Sequence, residues 1–176
     1  MMRRFMKLDV IQSTDSPWYA DGLNFTCQQC GNCCTGGPGY VWISDVEIAR
    51  LAEYLKITGE QVIEKYCRKV NGKISLKEVR RGPLYDCVFL TETKPSDGNG
   101  DRVVHSTRGC SIYPVRPLQC RTWPFWPGNL SSQNAWDRAG KGCYGINRGR
   151  KFTIEQIVEL RDAKDWPQNP PTSGEK

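Results

Sequence analysis

Four cysteines fall within eight positions, Cys27-Gln28-Gln29-Cys30-Gly31-Asn32-Cys33-Cys34, and thiolates at such short gaps suit a soft metal. A C-x-x-C-x-x-C turn can aim three sulfurs at one centre, with Gly31 relieving backbone strain. Zinc would take a tetrahedron of these thiolates at Zn–S distances near ~2.3 Å, and a 4Fe–4S cluster would take one thiolate per iron from the same kind of turn. The adjacent pair Cys33-Cys34 fits less easily, because neighbouring side chains tend to diverge, and one of the two is expected to serve a second centre or a bridge. Cys87, Cys110, Cys120 and Cys143 stand in loop contexts and bring the candidate ligands to eight, arithmetically two tetrathiolate sites. The ninth cysteine, Cys67, falls in an amphipathic segment and reads as a buried small hydrophobe. The expected cofactor is thus an iron–sulfur cluster or Zn2+, with the iron–sulfur cluster favoured by the turn.

Other chemistries find fewer partners. The single histidine, His105, lies in a strand or its following turn, where a surface role outweighs that of a catalytic base. A Cys–His nucleophile pair would have to use it, and cysteines bound to metal are not free nucleophiles. Arg116 and Arg121 flank Cys120 and could donate N–H bonds to sulfur or hold loops through carbonyls. Trp123, Phe125 and Trp126 read as packing around the site, with a protein-binding patch as the alternative.

Cysteines could equally pair as disulfides in an exported protein. The basic amino terminus, Met1-Met2-Arg3-Arg4-Phe5-Met6-Lys7, is followed by no apolar segment and no small-residue cleavage site of the kind a secretory signal carries. No apolar run approaches the ~20 residues that span a bilayer. The chain is therefore expected to be cytoplasmic and to have no membrane partner, in a compartment where thiols stay reduced and clustered cysteines serve metals. The formal charge is +6, yet acidic residues are interspersed and no basic stripe carries regular aromatics, so the charge pattern reads as a solvated surface and not as a nucleic-acid interface.

The elements that must position the cysteines are short. With 176 residues, 38% of them hydrophobic, and 17 Gly and 11 Pro, a single turn-rich domain with a modest core is expected. Residues 1–24 read as a docked N-terminal arm, 25–166 as the cysteine-cluster domain and 167–176 as a Pro-rich disordered tail. Thr35 to Gly39 is a glycine loop beside the cluster, and Tyr40 to Ile43 reads as a short strand. Ser44 and Glu47 form a capping box for a helix to about Lys56, and Thr58 and Gln61 repeat the device for a second helix that carries Cys67 and ends near Asn71-Gly72. From Lys73 the pattern turns to short antiparallel strands through Val79, Cys87 to Leu90 and Val103-Val104. The prolines between Cys110 and Asn129 forbid a continuous helix or central strand there. Asn134 to Arg138 suggests one helical turn, and Thr153 caps a last helix to about Lys164. The fold class is α+β, a small irregular domain with few helices and short antiparallel strands around a cysteine-ligated centre.

Read together, Cys27-x-x-Cys30-Gly31-x-Cys33-Cys34, Cys87-Val88-Phe89-Leu90, Gly109-Cys110-Ser111-Ile112-Tyr113 and Arg116-Pro117-Leu118-Gln119-Cys120-Arg121-Thr122-Trp123-Pro124-Phe125 resemble the CxxCxxCC cysteine-cluster family of zinc- or iron-chelating proteins. The resemblance spans roughly residues 25–150. It implies a metal or cluster held by Cys27, Cys30, Cys33, Cys34, Cys87, Cys110 and Cys120, and Gly142-Cys143-Tyr144-Gly145-Ile146 resembles a further cysteine motif of some members. Flagellin N-methylases are similar in these motifs, which raises an enzyme, or an enzyme accessory that modifies another protein, as the alternative function. Against it, no G-x-G-x-x-G stands between a strand and a helix. The expected function is a metal-binding protein with a structural, redox or carrier role.

Overall fold

Three helices begin on the same device. Ser44, Thr58 and Thr153 each accept an amide N–H of the first turn while a Glu or Gln three residues on reaches back to the cap N–H, so two orphan donors are satisfied at once. The helices that follow are α1 (Asp45–Leu55), α2 (Gly59–Tyr66) and, at the far end of the chain, the last helix, Ile154–Asp162. The structure, a computed structural model, describes residues 16–93 and 107–163. The expectations for Val103-Val104, His105, the tail 167–176 and most of the arm lie outside those residues.

Among the described residues the chain is an α+β fold of six helices and small antiparallel sheets. β1 (Leu23–Phe25) leads into a 3-10 turn at Asn32–Cys34 and β2 (Thr35–Gly36). After α1 and α2 come β3 (Cys67–Val70), β4 (Lys73–Leu76), β5 (Glu78–Arg81), β6 (Leu84–Cys87), β7 (Leu90–Thr93) and β8 (Thr107–Cys110). A 3-10 turn at Tyr113–Val115 precedes two single-turn helices, α3 (Leu118–Arg121) and α4 (Pro127–Leu130), then α5 (Gln133–Gly142), β9 (Ile146–Phe152) and α6 (Ile154–Asp162). β1 pairs with β9, β6 lies between β2 and β5, β3 pairs with β4, and β7 with β8. Among the described residues no sheet exceeds three strands, so none of these forms a face broad enough to build a core by itself.

The apolar side chains gather instead in two clusters. The first joins Ile48, Leu51 and Ala52 of α1 to Val62 of α2, Leu76, Phe89 and Ile112. The second joins Tyr19, Leu23 and Phe25 to Phe125, Leu130, Trp136, Ile146 and Ile157. Trp136 is fully buried at its centre, stacked on Phe125 with ring centroids 5.7 Å apart, and its indole N–H donates to Asn147 Oδ1 at 2.8 Å. That single bond satisfies the indole inside an apolar cluster.

Several local expectations are corrected. Tyr40 to Ile43 is not a strand: Trp42 makes one isolated bridge to Ser75, and the Gln119 side chain occupies the edge that a neighbouring strand would use. Its Oε1 accepts from the Trp42 N–H at 2.8 Å and its Nε2 donates to the Tyr40 carbonyl at 3.0 Å. The second helix stops at Tyr66, and Cys67 opens β3, because the β-branched and charged run to Val70 pairs better with β4 across the Asn71-Gly72 turn than it would continue a helix. Cys67 is buried, against the first cluster, from its strand position and not from a helix face. The expected single turn at Asn134 to Arg138 is a helix of 10 residues started by the Ser132 hydroxyl. The proline-rich stretch holds α3 and α4, each one turn long, so the prolines limit helix length without excluding helical turns.

Candidate metal centre

The eight candidate ligands are delivered by different elements. Cys33 and Cys34 sit in the 3-10 turn, Cys87 ends β6, Cys110 ends β8, and Cys120 lies in α3. These five line one small cavity of about 30 Å³, together with Leu76, Ile112 and Arg116. Gly31 makes the approach possible. It takes φ 72°, and a Cβ there would stand 2.7 Å from a methyl carbon of Leu90. Any other residue would be strained and would push the turn off the β7–β8 ribbon that carries Cys110.

Cys120 is placed by two buried contacts. Glu47 Oε2 closes the capping box of α1, while its Oε1 accepts the N–H of Leu118, the first residue of α3, at 2.5 Å. The same carboxylate stands 3.7 Å from the Arg121 guanidinium. One buried acid therefore fastens the amino ends of α1 and α3 to each other, and its charge suits both. Gln119, next to Cys120, holds the Tyr40 to Trp42 backbone as described above. Arg116 and Arg121 do bond carbonyls, those of Tyr113 and Arg116 respectively. Arg116 also lines the cavity, with its guanidinium 3.5 Å above the Tyr113 ring.

The neighbours Cys33 and Cys34 do not diverge. The tight turn leaves their sulfurs 3.8 Å apart. A tetrahedron with Zn–S bonds of ~2.3 Å has an S–S edge of roughly 3.8 Å, which is the separation of this pair. A 4Fe–4S cluster would hold its thiolates further apart, one to each iron. The other sulfurs have not closed to a shell: among the described residues no three Cys, His, Asp or Glu side chains stand as a group that would hold an ion. The five fit a metal in type and convergence, and side-chain rotation is what closure would require.

The thiols influence one another. Cys33 is lowered to about 7, chiefly by the hydrogen bond from Cys34 and also by the Arg116 charge, against burial. Cys110 is lowered to about 7 in the same way, with the Ile112 amide adding to the Cys34 bond. Cys34 is pushed far up by hydrogen bonding with the sulfurs of Cys110 and Cys33 and by burial. Burial raises Cys87 to about 11 and pushes Cys120 higher still. The Arg116 charge favours the thiolates of Cys33, Cys110 and Cys120 together.

Cys27 and Cys143 do not line this cavity. Both pack against the second cluster, and the Trp123 indole N–H donates to the Cys143 sulfur at 3.4 Å. The segments that carry them are joined by the β1–β9 pairing of Phe25 with Ile146, continued by the Thr26 N–H, which donates to the Gly145 carbonyl at 3.2 Å. Cys27 also lies against the Tyr113 hydroxyl and helps, after burial, to raise its pKa. Cys30 is half-buried in the turn between the two groups. Sequence reasoning did not single out Glu47 as a clamp, Gln119 as a strand substitute or Tyr113 as the link between the two cysteine groups. Only the capping-box spacing drew attention to Glu47.

Comparison with known proteins agrees with this chemistry. Residues 26–144 match the CxxCxxCC family, described as "Putative zinc- or iron-chelating domain". An uncharacterized protein of Methanocaldococcus jannaschii is 34% identical over 108 residues, which cover 61% of this chain and 48% of that protein. The chain thus spans about half the length of that curated relative. No solved structure matches. With a match that runs from the first cysteine turn to the Cys143 segment, the chain belongs to the CxxCxxCC family.

Proposed function

We propose that this chain binds a single zinc or iron ion through four of the five cysteines Cys33, Cys34, Cys87, Cys110 and Cys120, as a carrier or as a structural centre. The observation that supports the reading most is the convergence of thiols from the 3-10 turn, β6, β8 and α3 on one cavity, with a Cys33–Cys34 separation of 3.8 Å. The cavity, at about 30 Å³, suits one ion better than a multi-iron cluster. Arg116 offsets part of the negative charge that four thiolates leave on a divalent ion. Cys27, Cys30 and Cys143 stand outside this shell in our reading, and Cys67 is a packing residue. The binding unit would be the 25–166 domain, working in a reducing compartment such as the cytoplasm.

The test compares variants loaded with Zn2+ under reducing conditions. Cys120→Ser and Cys34→Ser are expected to lose most of the bound ion, whereas Cys67→Ala and Cys143→Ser keep it, all measured by elemental analysis of folded protein. Equal loss in Cys67→Ala and Cys120→Ser, with both folded by circular dichroism, would show that the cavity is not the binding site.

A further inference from the structure

A second, wider cleft of about 250 Å³ opens on the other side of the sulfurs. It shares Cys33, Cys34, Cys87 and Leu76 with the small cavity and does not reach Cys110 or Cys120. Thr35 and Gly36 of β2 line it together with Gly37 and Gly39, and a Cβ added at Gly36 or Gly37 would meet nothing within 4 Å. The cleft is thus an open approach to one side of the cysteine group.

Its charged side chains and its one side-chain amide are engaged in bonds to other groups. Glu78 accepts from Arg68 at 2.8 Å and from the Gly39 N–H at 3.1 Å. The Lys77 ammonium donates to the carbonyls of Glu64 and Lys65, and both ends of the Gln119 amide hold the Tyr40 to Trp42 backbone. Among the described residues that line the cleft, the two charged side chains, Glu78 and Lys77, are thus engaged, and the sulfurs are its soft ligands. Two further facts bear on their use: five thiols converge where a tetrahedral ion needs four, and Cys33 is exposed while Cys34, Cys87, Cys110 and Cys120 are partly buried.

We propose that this cleft is the port through which the ion is passed to or from a thiol-bearing acceptor, with Cys33 and Cys34 the first ligands displaced. The inference rests on the single-ion reading above. An acceptor thiol forms a metal–sulfur bond as the bond to Cys33 breaks, and the acceptor's proton ends on the Cys33 sulfur. A second acceptor thiol repeats the exchange at Cys34, and no electrons change hands. A soft thiolate donor is the class that competes with cysteine for such an ion.

The experiment loads the full chain with Co2+ and follows the thiolate-to-cobalt absorption after a synthetic Cys-x-x-Cys peptide is added. The transfer rate should rise in proportion to peptide concentration. Gly37→Trp, which fills open space, should slow transfer about tenfold or more by restricting access, while Gly37→Ala transfers like the parent and all three bind cobalt equally. A rate independent of peptide concentration, or a folded Gly37→Trp that transfers at the parental rate, overturns the proposal. Should Gly37→Trp not fold, the same dithiol fixed to a carrier too wide for the cleft replaces it, and transfer as fast as to the free peptide overturns the proposal. A chain that binds cobalt but fails these tests loses the port alone, and a chain that binds no cobalt loses the single-ion reading with it.

Discussion

Trp136→Ala is expected to destabilise the protein by about 3–5 kcal/mol, the range for truncating a fully buried tryptophan. Trp136 has no exposed surface, lies between Phe125 and Trp18, and its indole N–H is held by Asn147. Removing it opens a cavity in the second cluster and leaves Asn147 without that donor. Against a typical stability of ~5–15 kcal/mol the loss is large enough to read directly from urea denaturation. Trp136→Phe should recover part of it by restoring the contact with Phe125. A change below about 1 kcal/mol in Trp136→Ala would mean that the second cluster is not a core.

Removing the metal is expected to have an effect of similar size on the whole chain. Holding Cys34 and Cys120 on one ion closes a loop of roughly 90 residues, and the closure entropy by a 1.5 RT ln n estimate is on the order of 4 kcal/mol. The ion would supply that constraint to a chain whose largest sheet has three strands and whose α3 is a single turn. Chelation under reducing conditions should lower Tm by roughly 10 °C or more, given a few degrees per kcal/mol for a chain of this size. The near-UV circular dichroism should weaken more than the far-UV signal, because α1, α2 and α6 keep capping boxes that need no metal. An unchanged Tm in demonstrably metal-free protein would show that the cysteines do not organise the fold.

The parts of this fold that were legible in sequence are those fixed by local chemistry. Ser44 with Glu47, Thr58 with Gln61 and Thr153 with Gln156 announced three helices, and all three capping boxes form. The Asn71-Gly72 turn marked the end of an element, but the strand it closes into a hairpin had looked helical because Tyr66 and Cys67 continue the apolar spacing of α2. What could not be read was pairing over long separations. β1 meets β9 more than 120 residues later in a strand rich in Arg and Lys, whose β character rests on the partner and not on its own residues. Gln119 in place of a strand beside Tyr40 to Trp42 has no sequence signature at all.

The site followed the same division. The eight cysteines stood out by type and spacing, and the family resemblance rested on them. Their partition did not. Cys27 and Cys33 belong to one C-x-x-C-x-x-C run, yet Cys33 lines the cavity and Cys27 turns to the second cluster, because Gly31 reverses the backbone between them. The adjacency of Cys33 and Cys34 looked like an obstacle to shared ligation, and the 3-10 turn removes it.

The most direct test of the central claim is the metal and sulfide content of the full chain purified anaerobically in its reduced form. The account predicts one zinc or iron per chain, no acid-labile sulfide, and protection of four of the five cysteines Cys33, Cys34, Cys87, Cys110 and Cys120 from alkylation until a chelator is added. Stoichiometric sulfide with several irons would replace the single ion by a cluster, contrary to this account. Folded protein with no bound metal and with these cysteines joined in disulfides would contradict it altogether.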